Sequence, residues 1–528
     1  MEGQPAWATG TRQVKLRFLG GERTWLSEFG APQICGAAHC KLIAERFEIM
    51  VKESSPANKG KKPLITMKFG GTSVGSAERM KNVAQIVADH AQRAEVVVVV
   101  SAMGGVTDML IRAANEASQG DRENWKNVRR ELARRHREVA DQLLQAAEQA
   151  TVLPALADAV TDFENLCSGF SLVREVTPRA MDTLSSLGEV MSANLIAAIL
   201  RALGTPAEAV DATELIVTDD HFGSATPLFE ETNAKTRQRL AGLRKRGIIP
   251  VITGFRGATQ AGACTTLGRG GSDYSGTIIG AALDSDEVWI WTDVDGVMTT
   301  DPRLVPEARI LPEISYREAI ELSFFGAKVL HPKTIQPVMR KAIPVWIKNS
   351  FNPSCPGTCI VPDATGSQKG VKAITSVSKA AVITITGKDP LGFPQLAVRA
   401  FSSLSLEDAH TLMVTQSSAD NVLCFAVHDA EVRRVRAQLE KTFELELLHD
   451  DRVSIEIMPH VAIVVAVGEN MKGIPGISGR AFGSLGQHGI NIIAIAQGSS
   501  ELSISFAVKA SDVKEAVKAI HEEFKLQE

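Results

Sequence analysis

The sequence lacks a long basic run, a paired set of cysteines and a membrane-length apolar stretch. Each absence removes a class of function. Lys+Arg number 57 against 61 Asp+Glu, for a formal net charge of -4, so nothing favours a polyanionic nucleic acid as partner. Seven cysteines, scattered and odd in number, do not make a disulfide framework. They fit a reducing compartment, and a cytoplasmic protein is expected. Cys355 and Cys359 lie close together in Ser-Cys-Pro-Gly-Thr-Cys. A zinc clip needs further ligands nearby and the sequence offers none, so no metal site is expected. The densest apolar patch, Val96 to Val100, is strand-sized. No run approaches the roughly 18 residues that cross a bilayer, so no membrane partner is expected. A GxxxxGK[ST] segment is missing as well, which excludes a P-loop enzyme.

What remains is an ordinary globular composition, 44% hydrophobic and 22% charged over 528 residues. That length implies about three domains. Residues 1–62 carry Trp7, Trp25, Cys35 and Cys40 without periodicity, signal-peptide core or acid-poor bias. They are expected to form a poorly ordered extension. From Leu64 the pattern alternates strand and helix. Leu64 to Phe69 reads as a strand, and Met80, Val83, Ile86 and Val87 mark a helix within Ser76 to Arg93. Val96 to Ser101 is a β-branched run suited to a parallel sheet covered on both faces. Asn115 to Ala150 reads as inserted helices, expected as an exposed hairpin, and Gly188 to Leu203 as an amphipathic helix. Strands at Ile248 to Thr253, Val288 to Trp291 and Ile343 to Ile347 complete an α/β sandwich over 63–352. The Pro-, Gly- and Ser-rich stretch that follows is read as a linker, 353–376.

Beyond it the chain repeats itself. Arg399-Ala400-Phe401 returns as Arg480-Ala481-Phe482, Gln416-Ser417-Ser418 as Gln497-Gly498-Ser499, and Phe425-Ala426-Val427 as Phe506-Ala507-Val508, always at one spacing. Each copy runs strand, helix, strand, strand, helix, which predicts two ferredoxin-like units at 377–457 and 458–528.

The chemistry lies in glycine-rich turns. In Lys68-Phe69-Gly70-Gly71-Thr72-Ser73 a strand delivers a lysine and two glycines follow at once. Such a turn lets backbone N–H groups approach phosphate oxygens, with a helix N-terminus behind them. Gly268-Arg269-Gly270-Gly271-Ser272-Asp273 is a second such turn before a small-residue helix. Two cradles in one α/β domain suggest a nucleotide's phosphates held from both sides. Thr292-Asp293-Val294-Asp295-Gly296 follows another strand, Thr299-Thr300-Asp301-Pro302-Arg303 closes it, and Gly326-Ala327-Lys328-Val329-Leu330-His331-Pro332 brings a second lysine beside a glycine.

These blocks, in this order, resemble the aspartate kinases of the amino acid kinase superfamily, from about Leu64 to Ile520. The resemblance implies an α/β/α sandwich followed by two ACT domains. The implied reaction is transfer of the ATP γ-phosphoryl group to the side-chain carboxylate of L-aspartate, with Mg²⁺. By similarity Lys68 stabilises transition-state charge and Asp273 orients it, while Gly70, Gly71 and Ser73 lie along the phosphates. Ser101, Thr107, Glu189 and Arg269 match substrate positions, Glu189 for the α-amino group and Arg269 for a carboxylate. Thr292, Asp293, Met298, Arg303 and Lys328 match nucleotide positions, with Met298 standing where many members carry tyrosine. The ACT pair implies an amino-acid effector, threonine or lysine, at Asn491, Gln497 and Gln416, and a homodimer or larger homo-oligomer. In the first copy His410 stands where the second has Asn491.

Overall fold

The computed structural model describes residues 62–121, 123–327, 330–364, 370–388, 392–407, 409–417, 421–448 and 452–528. Lys328 and nearly all of the N-terminal extension lie outside them.

Eleven strands precede the repeat: β1 (Leu64–Phe69), β2 (Glu95–Val100), β3 (Ala207–Val210), β4 (Val217–Thr218), β5 (Ile249–Thr253), β6 (Arg256–Thr259), β7 (Cys264–Thr266), β8 (Glu287–Thr292), β9 (Glu313–Ser315), β10 (Val345–Asn349) and β11 (Thr358–Val361). Eight make one sheet, ordered β3-β5-β2-β1-β8-β10-β11-β9, and β4, β6 and β7 make a small flap. All pairs in the large sheet are parallel except β10 with β11. The unbroken valines of β2 follow from this topology. Val96, Val98 and Val100 enter a core shared with helices Ala77–Ala91 and Leu187–Ala202. Val97 and Val99 enter the opposite core with helices Phe229–Lys245 and Gly271–Ala282. A strand covered on both faces has no polar side to show.

The inserted helices differ from the exposed hairpin expected of them. Helices Asn124–Leu143 and Ala146–Val173 bury Leu132, Val139, Phe163 and Cys167 in the first of these cores. Arg135 also donates to the Gly104 carbonyl, 3.1 Å away, in the turn after β2. The pair is buried rather than exposed because the charged outer face of Asn124–Leu143 hides an apolar stripe. Consecutive helices over Pro178–Ala202 are long and apolar enough to cross a membrane, contrary to the sequence reading, and 83% of their most apolar window is buried inside the fold. Leu187–Ala202 is a central core helix, not an amphipathic one.

The stretch 353–376 is more than a linker. It carries β11 and the first residues of β12 (Ala373–Gly387). Five further strands complete a second, antiparallel sheet: β13 (Thr411–Ser417), β14 (Val422–His428), β15 (Val453–Val467), β16 (Ala494–Gln497) and β17 (Ser503–Lys509), in the order β13-β14-β12-β15-β17-β16. The start of β12 pairs with the end of β15, Ala373 opposite Val467 and Val377 opposite Ile463. Its later part pairs with β14. The first repeat unit is therefore nested between two strands of the second.

A buried ion pair fastens this sheet to the layer built on the eight-stranded sheet. Glu318, which caps helix Tyr316–Phe324 through Ser315, accepts from Lys372 Nζ at 3.0 Å and from the Glu469 N–H at 2.8 Å. Farther along the catalytic sheet, Lys348 Nζ is ringed by Trp289, Trp291 and Trp346, with ring centroids at 5.0, 5.7 and 5.2 Å. Its hydrogen bond goes to the Pro356 carbonyl. Burial lowers the Lys348 pKa, and Glu287 opposes that shift.

A stability measurement separates a core hairpin from an exposed one. Phe163→Ala empties a fully buried site and should cost about 3–5 kcal/mol in chemical denaturation. An exposed position would cost less than about 0.5 kcal/mol.

Candidate active site

Strand order places the site. From β1 the chain winds to β2 on one side, and from β8 it winds to β10 on the other. In open α/β sheets ligands bind beyond the strand C-termini where the winding reverses. Here that point lies between Phe69 and Trp291, neighbours in register. The ladder continues past the strand ends. Gly70 N–H donates to the Trp291 carbonyl at 3.1 Å, Ser101 N–H to Phe69 at 3.1 Å and Gly254 N–H to Val100 at 2.8 Å.

An open cleft of about 390 Å³ lies at this edge. It brings together Lys68, Gly71, Ser101, Thr107, Glu189, Arg269 and Asp273 from four separate segments of the chain. Lys68 projects from β1, is only 6% exposed, and forms an ion pair with Asp273 in the first turn of helix Gly271–Ala282. That helix comes this close because residue 276 is glycine, since a Cβ there would stand 2.9 Å from Lys68 Cβ. Gly71 is required for a similar reason. A Cβ there would sit 2.9 Å from the Ala102 carbonyl oxygen, whereas the bare backbone accepts the Gly104 N–H at 3.0 Å. The two turns after β1 and β2 are thereby locked together.

Glu189 opens helix Leu187–Ala202 at the floor of the cleft. It is 3% exposed and its Oε2 has no hydrogen-bond partner among the described residues. Burial pushes its carboxyl up to about 8, while the Ala102 N–H and the charges of Arg256 and Lys68 pull the other way. A buried carboxylate oxygen left bare is a socket for a cationic donor. Arg269 is exposed at the rim, and among the described residues it has no ion-pair partner. Its planar fork suits a carboxylate.

Other expected residues lie elsewhere. Ser73 does not face the cleft. It is 1% exposed, and its hydroxyl bonds Ser350 Oγ at 2.8 Å, so its side chain ties the turn to the end of β10. Thr292 ends β8 and donates to Asp293 at 3.2 Å. Met298 is half-buried and bridges to Ile310. The Arg303 side chain is 81% exposed and paired with Asp301 at 2.6 Å. Asn491 and Gln497 are exposed around β16 and Gln416 on β13, the two edge strands of the antiparallel sheet.

Three residues have roles here that the sequence did not reveal. Phe255 lines the cleft at φ 68°, a left-handed conformation rare for a bulky side chain. Its backbone N–H donates to Ser275 Oγ at 2.9 Å. Asp182, 2% exposed, accepts from Gly223 N–H, Thr266 N–H and Thr266 Oγ1 at 2.8–2.9 Å, which fixes the flap just before the Gly268 turn. Arg256 is buried and reaches Asp211 at 3.3 Å. A Thr-Gly-Phe after a strand was the one local hint of Phe255. Asp182 and Arg256 depend on tertiary neighbours.

The amino acid kinase family profile matches residues 63–349, and an ACT domain profile matches 464–524. Aspartokinase 3 of Arabidopsis thaliana, a chloroplastic protein by name, is 34% identical over 91% of this chain and 86% of its own length. The chain belongs to the aspartokinases of the amino acid kinase family. A bifunctional aspartokinase/homoserine dehydrogenase of the same plant is 37% identical over 87% of the chain, which spans about half (51%) of that relative. Among solved structures, Escherichia coli aspartokinase III with aspartate and ADP matches at TM-score 0.72 and 28% identity, over 87% of this chain and 99% of that one. Its lysine- and aspartate-bound form matches at 0.71. The architecture is thus that of aspartokinases, an amino acid kinase layer followed by ACT units.

Glu189 sets a pH dependence in the ligand-free aspartokinase. Its folded pKa is raised from 4.5 to about 8. The stability supplied by its protonated form is therefore complete below about 4.5 and is lost as pH rises through about 8. Glu189→Gln keeps a neutral side chain throughout. Its denaturation midpoint should exceed that of the unsubstituted protein above pH 8, with the difference shrinking toward pH 5.

Proposed function

We propose that the chain is an aspartate kinase, converting ATP and L-aspartate to ADP and 4-phospho-L-aspartate. The observation that carries this reading is the bare Glu189 oxygen at the floor of a cleft whose rim holds Arg269 and whose wall holds Lys68. An α-amino acid with a second carboxylate offers one cation and two anions in a matching order. Glu189 takes the ammonium, Arg269 takes a carboxylate, and the other carboxylate is turned toward Lys68. Ser101 and Thr107 supply hydroxyls along the same wall.

The nucleotide would lie on the β1–β8 side, with its phosphates along Gly70 and Gly71 and its remainder toward Thr292, Asp293, Met298, Arg303 and Lys328. The cradle fits phosphate. A Cβ at Gly70 would sit 3.5 Å from Lys68 Nζ, so the backbone of this turn borders the lysine ammonium. An aspartate carboxylate oxygen attacks the γ-phosphorus, a P–O bond forms, and the bond to the β–γ bridging oxygen breaks with its electrons on ADP. A carboxylate is already nucleophilic, so no general base is needed. Lys68 offsets the charge spread over the equatorial oxygens, and Asp273 holds the lysine in place. Magnesium would arrive on the phosphates and supply charge neutralisation, with Asp273 and Asp293 the carboxylates at this edge.

Feedback by an end-product amino acid is proposed at the edge strands, through Asn491, Gln497 and Gln416. Pairing of ACT units between two copies is proposed as the oligomeric contact. Exposed Val398, Phe401 and Leu406 on helix Phe393–Leu406 and Val414 on β13 offer an apolar face for it. Five described cysteines are free, in keeping with a cytoplasmic or other reducing compartment. A fluorescent fusion distinguishes a cytoplasmic from a chloroplast location.

The test is ADP release with aspartate, glutamate or UMP as acceptor, each with and without lysine and threonine. Turnover is expected with aspartate alone, and turnover with glutamate but not aspartate refutes the reading. Lys68→Met should lower kcat about 10²–10³-fold, the range seen when one preorganised charge-stabilising donor is removed. Circular dichroism checks the fold of this variant, because its loss leaves Asp273 partly buried and unpaired. Glu189→Gln should act mainly on KM for aspartate.

A further inference from the structure

The loop from Val297 to Ile310, which the proposed function places beside the nucleotide, belongs to two units of the fold at once. At its base Thr299 and Arg309 face each other. Thr299 N–H donates to the Arg309 carbonyl at 2.8 Å, and Arg309 N–H donates to Thr299 Oγ1 at 3.0 Å. At its tip Val305 is 2% exposed and Leu304 packs with it, in a core whose other members include Val464, Phe506, Val517 and Ile520. That is the core of the second ACT unit. The catalytic loop thus contributes side chains to the interior of the regulatory one.

The same ACT unit reaches back to the base of the loop. His521 lies on helix Val513–Glu523 and is 1% exposed. Its Nε2 stands 3.0 Å from Thr299 Oγ1. The Thr299 hydroxyl already accepts from Arg309 N–H, so its own proton is free to go to His521 Nε2. When His521 Nε2 accepts this proton, the ring carries its own on Nδ1. Burial lowers the His521 pKa, which favours the neutral ring that accepting requires. Two further bonds close the clamp. The Thr299 carbonyl accepts from Ile374 N–H at 2.7 Å, and Arg309 Nε donates to the Leu526 carbonyl at 3.3 Å.

We propose that His521 is a positioning residue for the nucleotide, holding the Val297–Ile310 loop through Thr299 so that the state of the second ACT unit sets the nucleotide-side geometry. The proposal rests on the aspartate kinase reading of the site, and it requires no contact between His521 and any substrate. Displacement of helix Val513–Glu523 when an amino acid occupies β16 would pull on Thr299 directly. The effector would then act through the affinity for ATP.

The experiment uses the full chain and four variants: His521→Leu, His521→Gln, Thr299→Val and the Thr299→Val/His521→Leu pair. Glutamine retains an acceptor near the Nε2 position, and leucine does not. His521→Leu and Thr299→Val should each raise KM for ATP about 5- to 10-fold, the effect of losing one buried hydrogen bond. KM for aspartate should stay within about twofold. His521→Gln should lie within about twofold of the parent for both substrates, and the double variant should be no worse than the poorer single one. Equal changes in both KM values, a glutamine variant as impaired as leucine, or additive effects in the pair would overturn the assignment. Hydrogen exchange at the Thr299 and Arg309 amides supplies a readout free of activity. It should accelerate in His521→Leu and not in His521→Gln. An unchanged exchange rate in His521→Leu overturns the clamp even if turnover is absent. Absence of aspartate turnover in the parent, with exchange behaving as described, instead refutes the kinase reading and leaves the clamp standing.

Discussion

The Lys68–Asp273 ion pair is the constraint around which the catalytic half is arranged. A buried ammonium is costly without an anion close by, and here the anion arrives on a helix from a distant part of the chain. Everything that brings helix Gly271–Ala282 against β1 serves that contact. Residue 276 has no side chain to hold the helix away, and the turn before the helix is tied to the flap that Asp182 secures. The pair sits at the reversal of strand winding, so the charge it fixes lies between two binding surfaces. On one side is the cleft over Glu189, and on the other the turn joined to the end of β8.

Much of this was legible from the sequence, for local reasons. A lysine at a strand end followed by two glycines states its geometry in consecutive residues, and the unbroken valines of β2 state that both faces are covered. The antiparallel sheet was legible as a repeat. Its nesting was not, because the partner of Ala373 is Val467 and no nearby pattern announces so distant a pairing. The same limit explains the helices 124–173. Charge dominates the composition of Asn124–Leu143, and the residues Leu132 and Phe163 find their partners only in the folded chain.

The site shows this division residue by residue. Glu189 is an ordinary acidic residue in the sequence, and resemblance alone singled it out. Its bare oxygen becomes visible only when the Ala102 turn and helix Leu187–Ala202 close over it. Ser73 shows the opposite case. Resemblance placed it along the phosphates, and in the fold its hydroxyl is buried and bonds Ser350. Phe255 adopts a backbone conformation that a sequence cannot announce, and Asp182 acts at a distance from the substrate surface.

The tryptophans around Lys348 have an optical consequence. Three of the chain's six tryptophans are gathered there, and the carbonyl of one, Trp291, receives the Gly70 N–H of the glycine turn after β1. Trp289 and Trp291 lie 6.0 Å apart, close enough to share excitation. Their ultraviolet emission should therefore report on a single region, the paired strands β8 and β10. The chain carries an intrinsic fluorophore beside the Gly70 turn, and a small shift of that turn would register as a change of wavelength or intensity without any added label.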